Sequence, residues 1–235
     1  MPRLGARRPP FGGRKALVQH ASRQRGRGVF NIWYHYSPKL ERDVVLRSDV
    51  ELAHFYWLEG DPAIKAYELE PAPSLVAIGD QPQRTQFDAL VHFYEGRPQL
   101  REVKTDDTQL DVREQHQREA QEKHAHAAGF DYLRVTRTTL ETHQQLIQNW
   151  SRALPFIAAC RAILLDAYLQ EVAATLRRSP QTTIAGVLLG TNPDLRPIYL
   201  AAIFRSLQQG WLSSDLADQP LCAQTQLWLR GSRNG

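Results

Sequence analysis

Residues 84–104, RTQFDALVHFYEGRPQLREVK, hold two β-rich runs, 86–94 and 99–104, around a turn at Glu95-Gly96-Arg97-Pro98. Side chains two apart in a strand share a face. In the second run Glu102 and Lys104 therefore point together with Leu100, and Val103 points the other way. With the turn centred between Gly96 and Arg97, facing residues sum to roughly 193, give or take a register slip. Asp88 then lies across the ladder near Glu102 and Lys104, so three ionisable groups meet where alternation would place core. Burying carboxylates together is costly unless a cation joins them. Lys104 can be that cation, which makes the pair a structural ion pair. A divalent metal can be as well, since it takes oxygen ligands from one or two carboxylates plus water.

The flanking segments place this hairpin in a layered fold. Ser48 with Glu51 three residues later is a capping box that opens a helix over 48–60, closed by Gly60-Asp61-Pro62. Read alone, Glu51 is an ordinary cap. AIKAYELE (63–70) alternates as a strand ended by Pro71 and Pro73. After the hairpin, 110–129 reads as a polar helix ended by Gly129, 130–136 as a strand and 139–150 as a helix. Upstream, VFNIWYHYSPK (29–39) reads as a short strand or a segment packed on the body. The order helix, three strands, helix, strand predicts an α/β fold around one mixed sheet. Asp106 and Asp107 read as turn or helix-entry residues, and His116, His124 and His126 as solvated.

A second unit follows a boundary near 150–156. Apolar periodicity predicts a long helix over 155–178, a short one over 182–190 capped by Thr182 or Thr183, and a third over 195–210. Residues 211–229 read as a small hairpin. Three helices followed by a β-wing is a winged-helix-like pattern. The third helix offers only Arg196 and Arg205 as cations, which favours protein contact over groove reading. The expected layout is a basic arm (1–28), an α/β domain (29–153) and a winged-helix-like domain (154–235).

Charge is unevenly spread along the 235 residues. Residues 1–47 carry eleven Lys or Arg against two acids, +9, so a net charge of +4 leaves −5 on the rest. A Pro/Gly-rich basic arm on a mildly acidic body suits phosphate contact, and a solubilising tail is the plainer alternative. No run of about 18 apolar residues predicts a membrane span, and the basic N-terminus lacks a following apolar stretch. Cys160 and Cys222 match no metal-ligand spacing and no disulfide framework, so a reducing, cytoplasmic setting is expected.

Ser48-x-x-Glu51 on an entry helix, then Gly-Asp-Pro, YELEP, Asp88 and Glu102-Val103-Lys104 together resemble the TnsA-type transposon endonucleases of the PD-(D/E)XK restriction-endonuclease-like superfamily. The resemblance covers most of residues 28–230, and LQQGWLSSDLADQPLCAQTQLWL looks like the family's C-terminal ending. The chain differs where the family has Pro before the aspartate and an aromatic after it (here Phe87-Asp88-Ala89), at Arg47 and at Glu70-Pro71. The resemblance implies Mg²⁺ (or Mn²⁺) held by Asp88, Glu102 and the Val103 carbonyl with Glu51 beside it, and a catalytic Lys104. It implies nicking of double-stranded DNA at the 5′ ends of a mobile element. It also implies a TnsB-type transposase and a TnsC-type AAA+ regulator as partners, in a bacterial, nucleoid-associated setting. A stand-alone restriction or repair nuclease and an idle DNA-binding assembly protein on the same fold are the alternatives.

Overall fold

The capping signal at Ser48 opens a helix where expected. In a computed structural model, which describes residues 31–78, 81–104 and 112–230, α1 spans Asp49–Gly60 and Ser48 Oγ accepts the N–H of Glu51 at 3.1 Å. The Glu51 carboxylate reaches back to the N–H of Arg47 at 2.8 Å, so both donors at the helix entrance are satisfied. Phe55 and Leu58 enter the main core, and Val50 and Trp57 a smaller one with Val135 and Leu140. The far end of α1 is closed by a residue from an upstream turn: Lys39 Nζ donates to the carbonyls of Leu58 (2.8 Å) and Asp61 (2.7 Å). A cation there suits the negative end of the helix dipole.

Before α1, β1 (Trp33–Ser37) and β2 (Arg42–Leu46) form an antiparallel ribbon. After it come β3 (Ile64–Leu69), a hairpin of β4 (Ser74–Ile78) and β5 (Gln81–Thr85), then β6 (Ala89–Phe93) and β7 (Gln99–Val103). α2 (Val112–Ala127) leads to β8 (Asp131–Val135). The central sheet runs β3-β6-β7-β8, antiparallel except for the parallel β7–β8 pair, so the chain is a mixed α/β protein. Facing residues in β6–β7 sum to 190, three short of the expected register. The β4–β5 hairpin is not foreseen by the sequence reading, which stops at Pro71 and Pro73 and reads nothing between 74 and 83. Asp106, Asp107 and the basic arm lie outside the described residues. His116 and His126 are exposed as expected; His124 is half-buried against the Phe87 ring, with 6.4 Å between centroids.

The C-terminal half corrects the expected helix boundaries. α3 (Arg137–Glu141), capped by Thr136, precedes α4 (Gln144–Ala159), which runs through Pro155. α5 starts only at Asp166 and ends at Arg178. The single helix expected over 155–178 is thus the end of one helix and the whole of another. Pro155 removes one helix donor, yet Trp150, Ala153, Leu154 and Ile157 on α4 are all buried in the main core and hold the helix together. β9 (Gln181–Thr183), α6 (Ile184–Leu188, capped by Thr183), α7 (Arg196–Gln208), β10 (Leu212–Ser214) and β11 (Gln226–Leu229) complete the chain, with β10-β11-β9 as a small antiparallel sheet.

The expected boundary at 153–154 lies inside α4, and one apolar cluster runs across it from Phe55 and Val91 to Ile203 and Leu227. Polar bonds cross it too. Asn149 donates to the carbonyls of Leu216 and Gln219 and accepts from the N–H of Leu221. Gly60 sits where α4 crosses α1: a Cβ there would lie 2.3 Å from Trp150 Cδ1, and Trp150 is buried. Gly60→Ala is therefore expected to lower stability by about 2–3 kcal/mol, because a packed indole must shift. A denaturant titration checks this, and an unchanged midpoint would mean that the helix crossing adjusts freely.

Candidate active site

Asp88 lies just before β6 with its backbone bonded on both sides. It donates to the Arg101 carbonyl, and its own carbonyl accepts from Glu70, both at 2.9 Å. Its carboxylate is anchored by the N–H of Val103, at 2.6 Å to Oδ2. Burial, then the neighbouring Glu102 carboxylate, push the Asp88 carboxyl up to about 7; Glu51 adds to the rise, while the Val103 N–H and Lys104 oppose it. Glu102 and Lys104 follow on β7 and its end. Lys104 Nζ sits 2.6 Å from Glu102 Oε1, the glutamate side chain 7% exposed and the lysine 42%. The lysine is thus open to an incoming molecule while its partner is not. Glu102 Oε2 is buried with no hydrogen-bond partner.

The end of β7 separates two small cavities. The first, about 50 Å³, is lined by Glu51, His54, Glu70, Asp88 and Val103; the second, about 30 Å³, by Glu102, Lys104, Arg118, Tyr132 and Arg134. Strand alternation explains the split, since Leu100 and Glu102 face α2 whereas Arg101 and Val103 face α1. The structure brings Glu51 together with Asp88, and Glu102 together with Lys104. It does not place all four on one cavity wall. Asp88 and Glu102 remain close enough for each charge to be felt across the strand end.

Sequence reading missed three residues here. His54 follows Glu51 by three on α1, a spacing that puts them on one helix face. Burial, and then the Arg101 charge, keep its imidazole well below its ordinary pKa and hence neutral. Arg101 Nη1 lies 3.3 Å from His54 Nε2. The guanidinium can only donate, so Nε2 accepts and the ring proton sits on Nδ1. Arg101 is itself 2% exposed, stacked 4.3 Å from the Trp57 ring, and burial lowers its pKa to about 10. Nothing in LREVK signals a buried arginine, because alternation alone assigns that face to core. Glu70, with φ +50°, pairs with Arg47 at 2.5 Å beside the first cavity.

Among the described residues no group of three or more His, Cys, Asp or Glu stands close enough to hold a metal ion. The donor chemistry nevertheless suits a hard cation. Two carboxylates, Glu102 and Glu51, raise the proton affinity of Asp88, one buried oxygen of Glu102 has no partner, and the available ligands are oxygens. No family model matches the sequence, and no curated protein matches it.

Proposed function

We propose that this chain is a metal-dependent DNA endonuclease of the PD-(D/E)XK type, working as the TnsA-type subunit of a cut-and-paste transposase. The observation that carries the reading is Asp88, anchored by Val103 N–H and raised to about 7 beside an ion-paired Glu102 and Lys104. A carboxylate is kept in so unfavourable a place at a cost that a hydrolytic role would explain. The element order supports the reading: α1, β3, the β6–β7 hairpin, α2 and β8, with the last strand parallel to its neighbour and the β4–β5 hairpin inserted after β3, agrees with the helix, three strands, helix, strand expected from the sequence.

In this reading Asp88, Glu102 and the Val103 carbonyl would hold Mg²⁺, with Glu51 beside them, the two carboxylates approaching from the two sides of the β7 end. When bound, such a cation neutralises charge developing on a phosphodiester and lowers the pKa of water. The chain's own residues do the rest. Lys104 leaves Glu102 to donate to the attacking water or the phosphate oxygens. The Val103 N–H keeps the Asp88 carboxylate aimed, and the Glu51 cap fixes α1 against the site. The setting would be cytoplasmic and nucleoid-associated; no described helix is long and apolar enough to cross a membrane.

α5, β9, α6, α7 and the β10–β11 hairpin follow the winged-helix order. In that order α7 would be the groove-reading helix, but Ala201–Phe204 and Ser206–Gln208 are buried against the body. That burial favours protein contact, with a TnsC-type regulator and a TnsB-type transposase, over base reading by α7. The Glu102–Lys104 ion pair equally suits an idle DNA-binding scaffold. Calorimetry with Mn²⁺, with and without a short duplex, separates the two. The nuclease reading expects binding that Asp88→Ala removes. Absence of binding in both proteins, with DNA present, would leave the scaffold reading.

A further inference from the structure

The cavity around Glu102 and Lys104 is walled by two further cations. Arg134 is the direct neighbour of Glu102 in the parallel β7–β8 ladder, so both side chains leave the sheet on the same face. Arg118 reaches the cavity from α2. Glu114, one turn before Arg118 on α2, also lines the cavity, and among the described residues the ion pairs are Arg47–Glu70, Lys104–Glu102 and Arg161–Asp43, with neither Arg118 nor Arg134 in one. Tyr132 and Gln117 add a hydroxyl and an amide to the same wall. The cavity across the strand end carries Glu51, Glu70 and Asp88 instead. The end of β7 thus divides a wall on which Lys104, Arg118 and Arg134 outnumber Glu102 and Glu114 from an anionic one.

We infer that Arg118 and Arg134 are positioning residues that grip a backbone phosphate next to the scissile one, orienting the strand across the end of β7. This rests on the endonuclease reading for the word scissile, but the phosphate grip itself needs only DNA binding. Two guanidiniums offer paired N–H donors to phosphate oxygens, and the open Lys104 lines the same cavity. α2 suits the task because it buries only Gln121 and Ala125 and leaves most of its length open to a ligand.

The test uses the full chain and a fluorescent duplex. Anisotropy at several salt concentrations, in Ca²⁺ buffer, gives the slope of log affinity against log salt for wild type, Arg118→Ala, Arg134→Ala, the double variant and Arg134→Lys. Each alanine is expected to reduce the slope by about 1 and the double variant by about 2, while Arg134→Lys keeps it. Thermal melts confirm that each variant is folded, and Arg177→Ala on α5 serves as a distant charge control. Slopes that stay at the wild-type value, or fall equally in the Arg177 control, overturn the inference. Mn²⁺ binding by calorimetry with the duplex present is read separately. Reduced slopes without Asp88-dependent Mn²⁺ binding would support the phosphate grip and sink the endonuclease reading, and Asp88-dependent Mn²⁺ binding with unchanged slopes would do the reverse.

Discussion

Replacing Asp88 by Asn is expected to abolish nicking by about a thousandfold or more while making the folded protein more stable above pH 7. The two effects have one cause. On folding, the Asp88 carboxyl moves from an ordinary 3.8 to about 7. A group whose folded pKa is raised stabilises fully below its unfolded pKa, and that contribution is lost as pH rises through the folded value. The full loss would be on the order of 4 kcal/mol, and the partial exposure of Asp88 reduces it to about 1–3 kcal/mol. Asparagine keeps an oxygen for the Val103 N–H and removes the charge. Urea denaturation should therefore show the variant ahead of wild type at pH 8 and level with it at pH 4. A variant less stable at both pH values would make Asp88 a structural residue. Lys104→Ala should lose activity by about 10²–10³-fold with DNA affinity little changed, and retained nicking would remove the lysine from the mechanism.

Glu59→Ala should be the most destabilising single change away from the site, by about 3–5 kcal/mol. Glu59 is fully buried at the end of α1, where its Oε1 accepts from Ser37 and from Tyr67 at 2.5 Å, and its Oε2 from Gln208 at 2.5 Å. These partners come from β1, β3 and α7, so one carboxyl joins three elements from both halves of the chain. Alanine would take the carboxylate acceptor from two hydroxyls and an amide inside the core, leaving Ser37 and Tyr67 only each other and the Gln208 amide only the backbone carbonyl of residue 59. Burial raises the Glu59 pKa despite these bonds, so the neutral Glu59→Gln should be tolerated far better. Guanidinium titrations of both variants give the comparison. A loss under about 1 kcal/mol for alanine would mean that apolar packing alone holds α7 to the body.

Most elements around the site are legible because their signals are local. Ser48 and Glu51 cap α1, Gly96 and Pro98 turn the β6–β7 hairpin, and Gly129 closes the chain after α2 with φ +82°. The spacing of Asp88 from Glu102 across a hairpin is likewise readable, to within three residues of register. The β4–β5 hairpin escapes because its flanking prolines mark a loop, and its short strands carry too little periodicity to overrule them.

By itself, then, the sequence determined the capped helix, the hairpin with its Asp88, Glu102 and Lys104, the polar helix and the closing C-terminal elements, since caps, turns and alternation act over a few residues. Only the tertiary structure decided the rest. Pro155 stays inside α4 because Trp150, Leu154 and Ile157 are buried around it. Arg101 is buried because His54 and Trp57, more than forty positions earlier, supply its partners. The split of the site into an anionic and a mainly cationic wall is likewise tertiary, because it depends on which helix covers each face of β7, and nothing in the strand's own residues specifies that.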